Sequence, residues 1–278
     1  MERVLSAGAP TDPDALATFE SGIAPGGEIF TPFGATEALP ISNLGSREIL
    51  AETREKTRQG AGLCVGRPLR GVTAAIIPIS DQPIQDWGAV PLLAPGEIGE
   101  ITVSGPVVSR QYFNDSDATK LAKIPCLGAP SGPGSFVHRM GDLGYIDGGG
   151  RLWMCGRKSQ RVATPTRVYF TVSAEGVFNG HPDVSRTALV GIDGVSTAPV
   201  LCVELVARKS ARAKKRITEE LRALGAGHEQ TRGICNFLYH RAFPVDTRHN
   251  SKIRREELSE WATKKIGALK PKTEKRTT

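Results

Sequence analysis

Apolar and polar positions follow two rhythms along the chain. In the first half the apolar runs are short and strand-like. "RVLSAG" (3–8) predicts a strand ending in a Gly-Ala-Pro turn, and "PDALATFE" (13–20) a helix capped by Thr11 or Asp12. "GGEIFTPFGATE" (26–37) predicts a strand running into a glycine corner. "SREILAETREKTRQ" (46–59) has helical composition but a weak apolar stripe, so part of it is expected to be loop. "GVTAAIIPI" (71–79) and "GEITVSG" (99–105) alternate β-branched residues as sheet strands do. "IPCLGAPSGPGS" (124–135) reads as a surface loop.

The second half mixes longer elements. "SAEGVFNGHPDV" (173–184) predicts a short helix stopped by glycine and proline. "SRTALVGI" (185–192) and "APVLCVELVAR" (198–208) predict two strands joined by the turn "DGVST". "SARAKKRITEELRALG" (210–225) places Ile217, Leu221 and Leu224 at helical spacing, with Gly225 as the stop. "NFLYHRAFPV" (236–245) predicts a strand and "SKIRREELSEWATKKI" (251–266) a final helix. Strand and helix alternating over so short a stretch predict a small α+β domain.

Charge divides the chain at the same place. Residues 1–156 hold 12 Lys and Arg against 17 Asp and Glu, and the remainder holds 24 against 12. Such a step suits two bodies that attract, or a basic body facing an anion. Aromatic residues do not interleave with the basic ones, so nucleic acid is not an expected partner. No apolar run reaches the length of a membrane span. Five scattered cysteines without a CxxC pair predict free thiols in a reducing cytoplasm.

Three stretches carry chemistry. "TPFGATE" (31–37) offers an aromatic face at Phe33, close backbone approach at Gly34, a hydroxyl at Thr36 and a magnesium-ligating oxygen at Glu37. "MGDLGYIDGGGRLWMCGRK" (140–158) reads as a hairpin that returns Arg157 to Asp142. That pair can clasp the hydroxyls of a sugar, or Asp142 can cap its turn with Arg157 as a plain ion pair. "FPVDTRHNSKIRREEL" (243–258) sets Lys252 in a polar turn between strand and helix. There it can serve a developing negative charge, or be one more exposed lysine.

Taken in order, "GAP" (8–10), "FGATE" (33–37), "GEITVSGPVVSRQYF" (99–113), the 140–158 stretch and "NSKIRR" (250–255) resemble the adenylate-forming superfamily of acyl-CoA synthetases, peptide-synthetase adenylation domains and luciferases. The resemblance spans almost the whole chain. It implies α/β and α+β architecture: part of a large AMP-binding domain, with mixed sheets and a β-subdomain, over 1–156. A small mobile α+β domain would follow over 157–278, with a hinge near Ser159. It implies ATP or AMP and Mg2+ as cofactors, and a small-molecule carboxylic acid as substrate. It further implies that Gly8, Ala9, Pro10 and Phe33 meet adenine, with Gly34 beside them. Thr36 would meet the α-phosphate, Glu37 magnesium, Asp142 and Arg157 the ribose, and Lys252 the reaction centre.

Two departures refine this. The family is about twice as long and carries a Ser/Thr/Gly-rich phosphate loop that nothing in residues 1–30 resembles. The chain is therefore expected to be a C-terminal part with little adenylating activity alone, and a non-catalytic partner-binding remnant is an alternative. Ser159 stands where the family has an Asp or Lys pivot, and "ATPTRVYFTVSAEG" (163–176) has no glycine before Gly176. With "HPDVSRTALVG" (181–191), these features resemble the olefin-biosynthesis β-lactone synthetases. That implies a long-chain 3-hydroxy acid and association with other hydrocarbon-biosynthesis enzymes. A fatty acyl-CoA ligase is the alternative.

Overall fold

Strand-forming runs in the first half pair into one broad sheet, and those of the second half into a separate, helix-covered one. The structure, a computed structural model, describes residues 2–8, 11, 13–128, 135–192, 198–246 and 252–269. Two units divide the chain, Met1–Ser159 and Gln160–Thr278.

The first unit begins with β1 (Arg3–Leu5), α1 (Pro13–Glu20), β2 (Glu28–Ala35) and β3 (Ala38–Gly45). A continuous helical stretch follows: α2 (Ser46–Glu48), a π-helical segment Ile49–Thr53 and α3 (Arg54–Arg58). Next come β4 (Leu63–Pro68), β5 (Thr73–Ile77), β6 (Gly99–Ser104), α4 (Ser116–Ala122), β7 (Lys123–Pro125), β8 (Phe136–Ile146) and β9 (Leu152–Arg157). Among the described residues these nine strands form a sheet of order β1-β2-β3-β4-β9-β8-β6-β5, with β7 on β8. Among the described pairings of this sheet only β1 and β2 run parallel. Leu16 of α1 and Ile49 pack with Ile29, Leu44, Cys64 and Trp153 to form one core.

The second unit opens with the short pair β10 (Val162–Ala163) and β11 (Val168–Tyr169), then α5 (Thr171–Asn179), β12 (Val184–Ile192), β13 (Ala198–Leu205), α6 (Ala211–Ala226), β14 (Asn236–Tyr239) and α7 (Arg255–Leu269). β13 lies between antiparallel β12 and parallel β14. Because strand side chains alternate faces, Leu189, Leu201 and Val203 join Phe178, Ile217 and Leu221 in one core. Ala188, Val190, Val200 and Cys202 point the other way and join Phe243, Leu258 and Ala262 in a second. Burial on both faces explains why these strands read as unbroken apolar runs.

Several expectations need correction. The 46–59 stretch is helix nearly throughout, because Ser46, Ile49, Thr53 and Thr57 form its buried face. Ile124 and Pro125 belong to β7 rather than to a loop, and residues 129–134 of that stretch lie outside the described residues. Gly225 does not stop α6, which continues to Ala226 with Gly227 as its cap. Gly225 is there for close packing, since a Cβ would lie 2.9 Å from Phe178 Cζ. "NFLYHRAFPV" is strand only as far as Tyr239. The turn after the strand 185–192 and the Asp12 cap fall outside the described residues.

An ion pair holds the second unit's layers together. Arg255 of α7 meets both carboxylate oxygens of Glu175 on α5, at 2.5 and 2.8 Å, and also bonds the Leu189 carbonyl. Glu175 Oε1 accepts the Leu189 N–H as well, at 2.7 Å. The side chains are only 14% and 10% exposed. Removing one member leaves the other's charge buried and uncompensated. Arg255→Met is therefore expected to destabilise the protein by about 3–5 kcal/mol in urea denaturation. Adding Glu175→Gln, which keeps the acceptor for Leu189, should recover at least half of that loss.

Candidate functional site

Residues 142 and 157 meet because β8 and β9 are joined by a locked turn. Asp147 Oδ1 accepts the N–H groups of Gly149 and Arg151, both at 2.9 Å, and Oδ2 takes the Arg151 guanidinium and the Trp153 indole N–H. Burial alone would raise the Asp147 carboxyl, but the bonds from Trp153 and Arg151 hold it at about 2. It is charged at all working pH, and the hairpin register follows. Asp142 pairs with Arg157 across the strands. Gly144 lets the strands close: a Cβ there would lie 2.0 Å from the Trp153 carbonyl oxygen.

Asp142 thus lies within β8, not at a turn. Arg157 Nε stands 3.1 Å from Asp142 Oδ1; the aspartate side chain is 4% exposed and the arginine 52%. Burial pushes the Asp142 carboxyl up to about 6, against the weaker downward pull of Arg157. An arginine half in water compensates a buried carboxylate incompletely. A carboxylate has room for about four hydrogen bonds, and Arg157 is the one ion-pair partner of Asp142 among the described residues. Acceptor capacity is left for a ligand with paired hydroxyl donors, as a ribose has.

The "TPFGATE" stretch forms the β2–β3 hairpin. Strand β2 continues through Gly34 to Ala35, which pairs with Ala38, so Thr36 and Glu37 make the turn and the glycine does not. Gly34 serves close approach: a Cβ would lie 2.5 Å from the Ala38 carbonyl oxygen and 2.7 Å from Leu39 Cδ1. Phe33 is half-buried beside it and Thr36 is exposed. Gly8, with φ 101°, follows β1. Since β1 and β2 are parallel, Gly8 and Phe33 lie toward the same strand ends, the carboxyl ends where α/β sheets bind ligands. Ala9 and Pro10 lie outside the described residues.

Glu37 is held by residues that sequence reasoning missed. Tyr112 donates its hydroxyl to Glu37 Oε1 at 2.9 Å, and the Ser109 N–H donates to the Glu37 carbonyl at 2.7 Å. Partial burial pushes the Glu37 carboxyl up, but its own backbone N–H, the Tyr112 hydroxyl and the charge of Lys123 outweigh it and hold it below the usual value. Burial and the bond to Glu37 push the Tyr112 hydroxyl up to about 12, so it remains a donor. Lys123, 6% exposed, is pushed down to about 8 by burial, with the Glu37 charge opposing. It faces His138 across β7 and β8. His138 is pushed down to about 4 by burial and is a neutral imidazole. The only sequence signal for this wall was the "QYF" in the 99–113 motif. Contacts thus run from Glu37 to β8, where Asp142 stands four residues beyond His138.

Magnesium commonly takes one or two protein carboxylates and completes its shell with phosphate oxygens and water. Glu37, ionised, half-buried and with one oxygen tied to Tyr112, fits a single-carboxylate site of this kind. Among the described residues no cluster of three or more metal-ligating side chains occurs. Lys252, in the second unit, is exposed, and its carbonyl accepts the Asp246 N–H at 2.9 Å beside the Val245–Ile253 bridge. All five cysteines are free thiols. Among the described residues no helix is long and apolar enough to cross a membrane.

The family model for AMP-binding enzymes matches residues 1–113. An olefin beta-lactone synthetase of Xanthomonas campestris pv. campestris is 48% identical over 258 residues, 92% of this chain and 46% of that protein. Another, from Stenotrophomonas maltophilia, is 47% identical over 95% of this chain and 47% of its own length. The fold matches the amide bond synthetase McbA from Marinactinospora thermotolerans with a TM-score of 0.69 at 24% identity, over 94% of this chain and 47% of that one. It also matches the o-succinylbenzoate coenzyme A synthetase of Bacillus subtilis, solved in complex with ATP and magnesium, with a TM-score of 0.65 at 21% identity over 92% of this chain and 46% of that one. The chain belongs to the adenylate-forming superfamily of AMP-binding enzymes and has its mixed α/β fold. It is most similar, among these relatives, to the olefin beta-lactone synthetases, and it spans about half the length of the curated relatives it matches.

Asp142 leaves a signature in stability against pH. Below the ordinary value of 3.8 the folded and unfolded chains both hold its proton, and the group contributes nothing. Between there and about 6 only the folded chain holds it, so stability falls as pH rises. The full loss is as much as about 3 kcal/mol above that window. Asp142→Asn is expected to lack this fall and to be at least as stable as wild type at pH 8, measured by urea denaturation across pH 3.5–8. Equal pH slopes for the two proteins would contradict the assignment.

Proposed function

We propose that this chain forms the ribose-binding and magnesium-binding part of an ATP-dependent, acyl-adenylate-forming enzyme. The type is the one that closes a long-chain 3-hydroxy acid to a β-lactone. The observation that carries the reading is the buried Asp142 carboxylate, paired with Arg157 at 3.1 Å and left with acceptor capacity. The 48% identity to an olefin beta-lactone synthetase supports the choice of type.

In this reading Asp142 accepts hydrogen bonds from the ribose hydroxyls, and Arg157 adds donors from the solvent side. Gly8, Ala9, Pro10, Phe33 and Gly34 border the adenine. Thr36 donates its hydroxyl to an α-phosphate oxygen, and Glu37 provides the protein ligand for magnesium. That ion, when bound, offsets phosphate charge as pyrophosphate leaves. Lys252 brings its ammonium to the reacting carboxylate. An oxygen of the acid attacks the α-phosphorus, and the bond to the β-phosphate oxygen breaks with its electron pair leaving on pyrophosphate. The substrate's own 3-hydroxyl oxygen then attacks the acyl carbon, loses its proton to solvent, and releases AMP. Because nucleophile and electrophile share one molecule, the second step gains effective concentration and needs no thiol.

Ser159 is the proposed hinge. Lys158 just before it is tied into the first unit by the Ser80 carbonyl at 2.9 Å and Glu100 at 3.1 Å, so freedom begins after that lysine. The working place is the cytoplasm, where ATP and magnesium are supplied, and other hydrocarbon-biosynthesis enzymes are the proposed partners.

Calorimetric titration with AMP tests the reading. Wild type is expected to bind, and Asp142→Asn to lose about tenfold or more in affinity, as removal of a charged hydrogen-bond partner does, while remaining folded. A folded Asp142→Asn protein with wild-type affinity overturns it, and so does a wild type that does not bind, which favours the partner-binding remnant. A CoA thioester in place of a lactone from the intact enzyme would move it to the fatty acyl-CoA ligases.

A further inference from the structure

We infer that Tyr112 is a positioning residue for Glu37 and that Lys123 holds Tyr112 in place, an inference that rests on reading Glu37 as the magnesium carboxylate. Glutamate has three rotatable bonds, and an unsupported one loses that freedom when it takes a metal ion. Here the freedom is already gone. The Tyr112 hydroxyl fixes Oε1, the Ser109 N–H fixes the backbone carbonyl, and Ala38, the next residue, forms a β-bridge with Val108.

Tyr112 is itself braced. Its N–H donates to Thr119 Oγ1 at 3.0 Å, and that hydroxyl donates to the Asp115 carbonyl at 2.7 Å at the start of α4. The Asp115 side chain caps the same helix by accepting the Ala118 N–H at 2.9 Å. The Lys123 ammonium stands 5.9 Å from the centre of the Tyr112 ring and 5.6 Å from that of Phe136. It donates to Ser109 Oγ at 3.3 Å. A buried ammonium with two aromatic faces and one hydroxyl around it favours one placement of the tyrosine ring. It also steadies Ser109, whose N–H holds Glu37. Lys123 comes from the strand after α4 and Glu37 from the hairpin turn far upstream, so the wall sets the carboxylate against a rigid part of the sheet.

The test separates metal from nucleotide. ATP affinity of the full chain is measured by calorimetry in EDTA and again with manganese(II), for wild type, Tyr112→Phe, Glu37→Gln and the double variant. Tyr112→Phe is expected to keep the metal-free ATP affinity and to lose about tenfold of the gain that manganese gives, as loss of a hydrogen bond to a charged acceptor does. Adding it to Glu37→Gln should change nothing further, because the two act through one carboxylate. A purely structural role for Tyr112 would instead lower metal-free and metal-dependent binding together, and would add to Glu37→Gln. Lys123→Gln is the second variant, with a smaller expected loss of about threefold in the manganese gain; if Tyr112→Phe does not fold, its result decides. A wild type that responds to manganese while the deciding variant responds equally overturns the inference alone. A wild type whose ATP affinity manganese does not raise overturns the reading of Glu37, and the inference with it.

Discussion

A carboxylate held away from water with a half-solvated arginine as its ion-pair partner is the constraint around which the first unit is arranged. Burial disfavours the charged form of Asp142, and Arg157 offsets this only in part. Such a group is a liability to the fold itself and an asset to a ligand with two hydroxyls to donate. The surrounding geometry keeps it so. Asp147 locks the turn, Gly144 lets the strands close, and the register brings Arg157 opposite Asp142. In the proposed reading, stability given up at this carboxylate is exchanged for ribose binding, a familiar arrangement at functional sites.

Glu37 stands in the opposite electrostatic situation. Its carboxyl is held below the ordinary value by Tyr112 and by its own backbone, so it is charged without assistance. One carboxylate is thus raised and the other lowered, and each state matches a task. The first has acceptor capacity for hydroxyl donors; the second offers a fixed negative oxygen to a cation. Both lie in the first unit, linked through Ser109, Lys123 and β8. Lys252 lies in the other unit, which is why the proposed reaction calls on a hinge at Ser159.

What could be read in the letters was mainly local. The Asp142–Arg157 pairing follows from strand spacing and a glycine-rich turn, both short-range signals. The second unit's strands were visible because burial on both faces makes them continuously apolar. The 46–58 helix was obscured because its buried face is Ser46, Ile49, Thr53 and Thr57. Those threonine hydroxyls bond back to carbonyls one turn earlier, Ile49 and Thr53, so a polar-looking stripe can be buried. Gly225 looked like a stop because a glycine needed for packing against Phe178 has the same letter as one needed for a cap. Tyr112 and Lys123 were out of reach for a different reason: they meet Glu37 only once distant strands have paired, and no period or spacing encodes that.

The central claim is that Asp142 and Arg157 together receive the ribose of a bound nucleotide. A crystal structure of the chain with AMP tests this most directly. The account predicts both ribose hydroxyls within hydrogen-bonding distance of this pair, with at least one donating to an Asp142 oxygen. AMP bound elsewhere, or with its ribose turned away from Asp142, would contradict it.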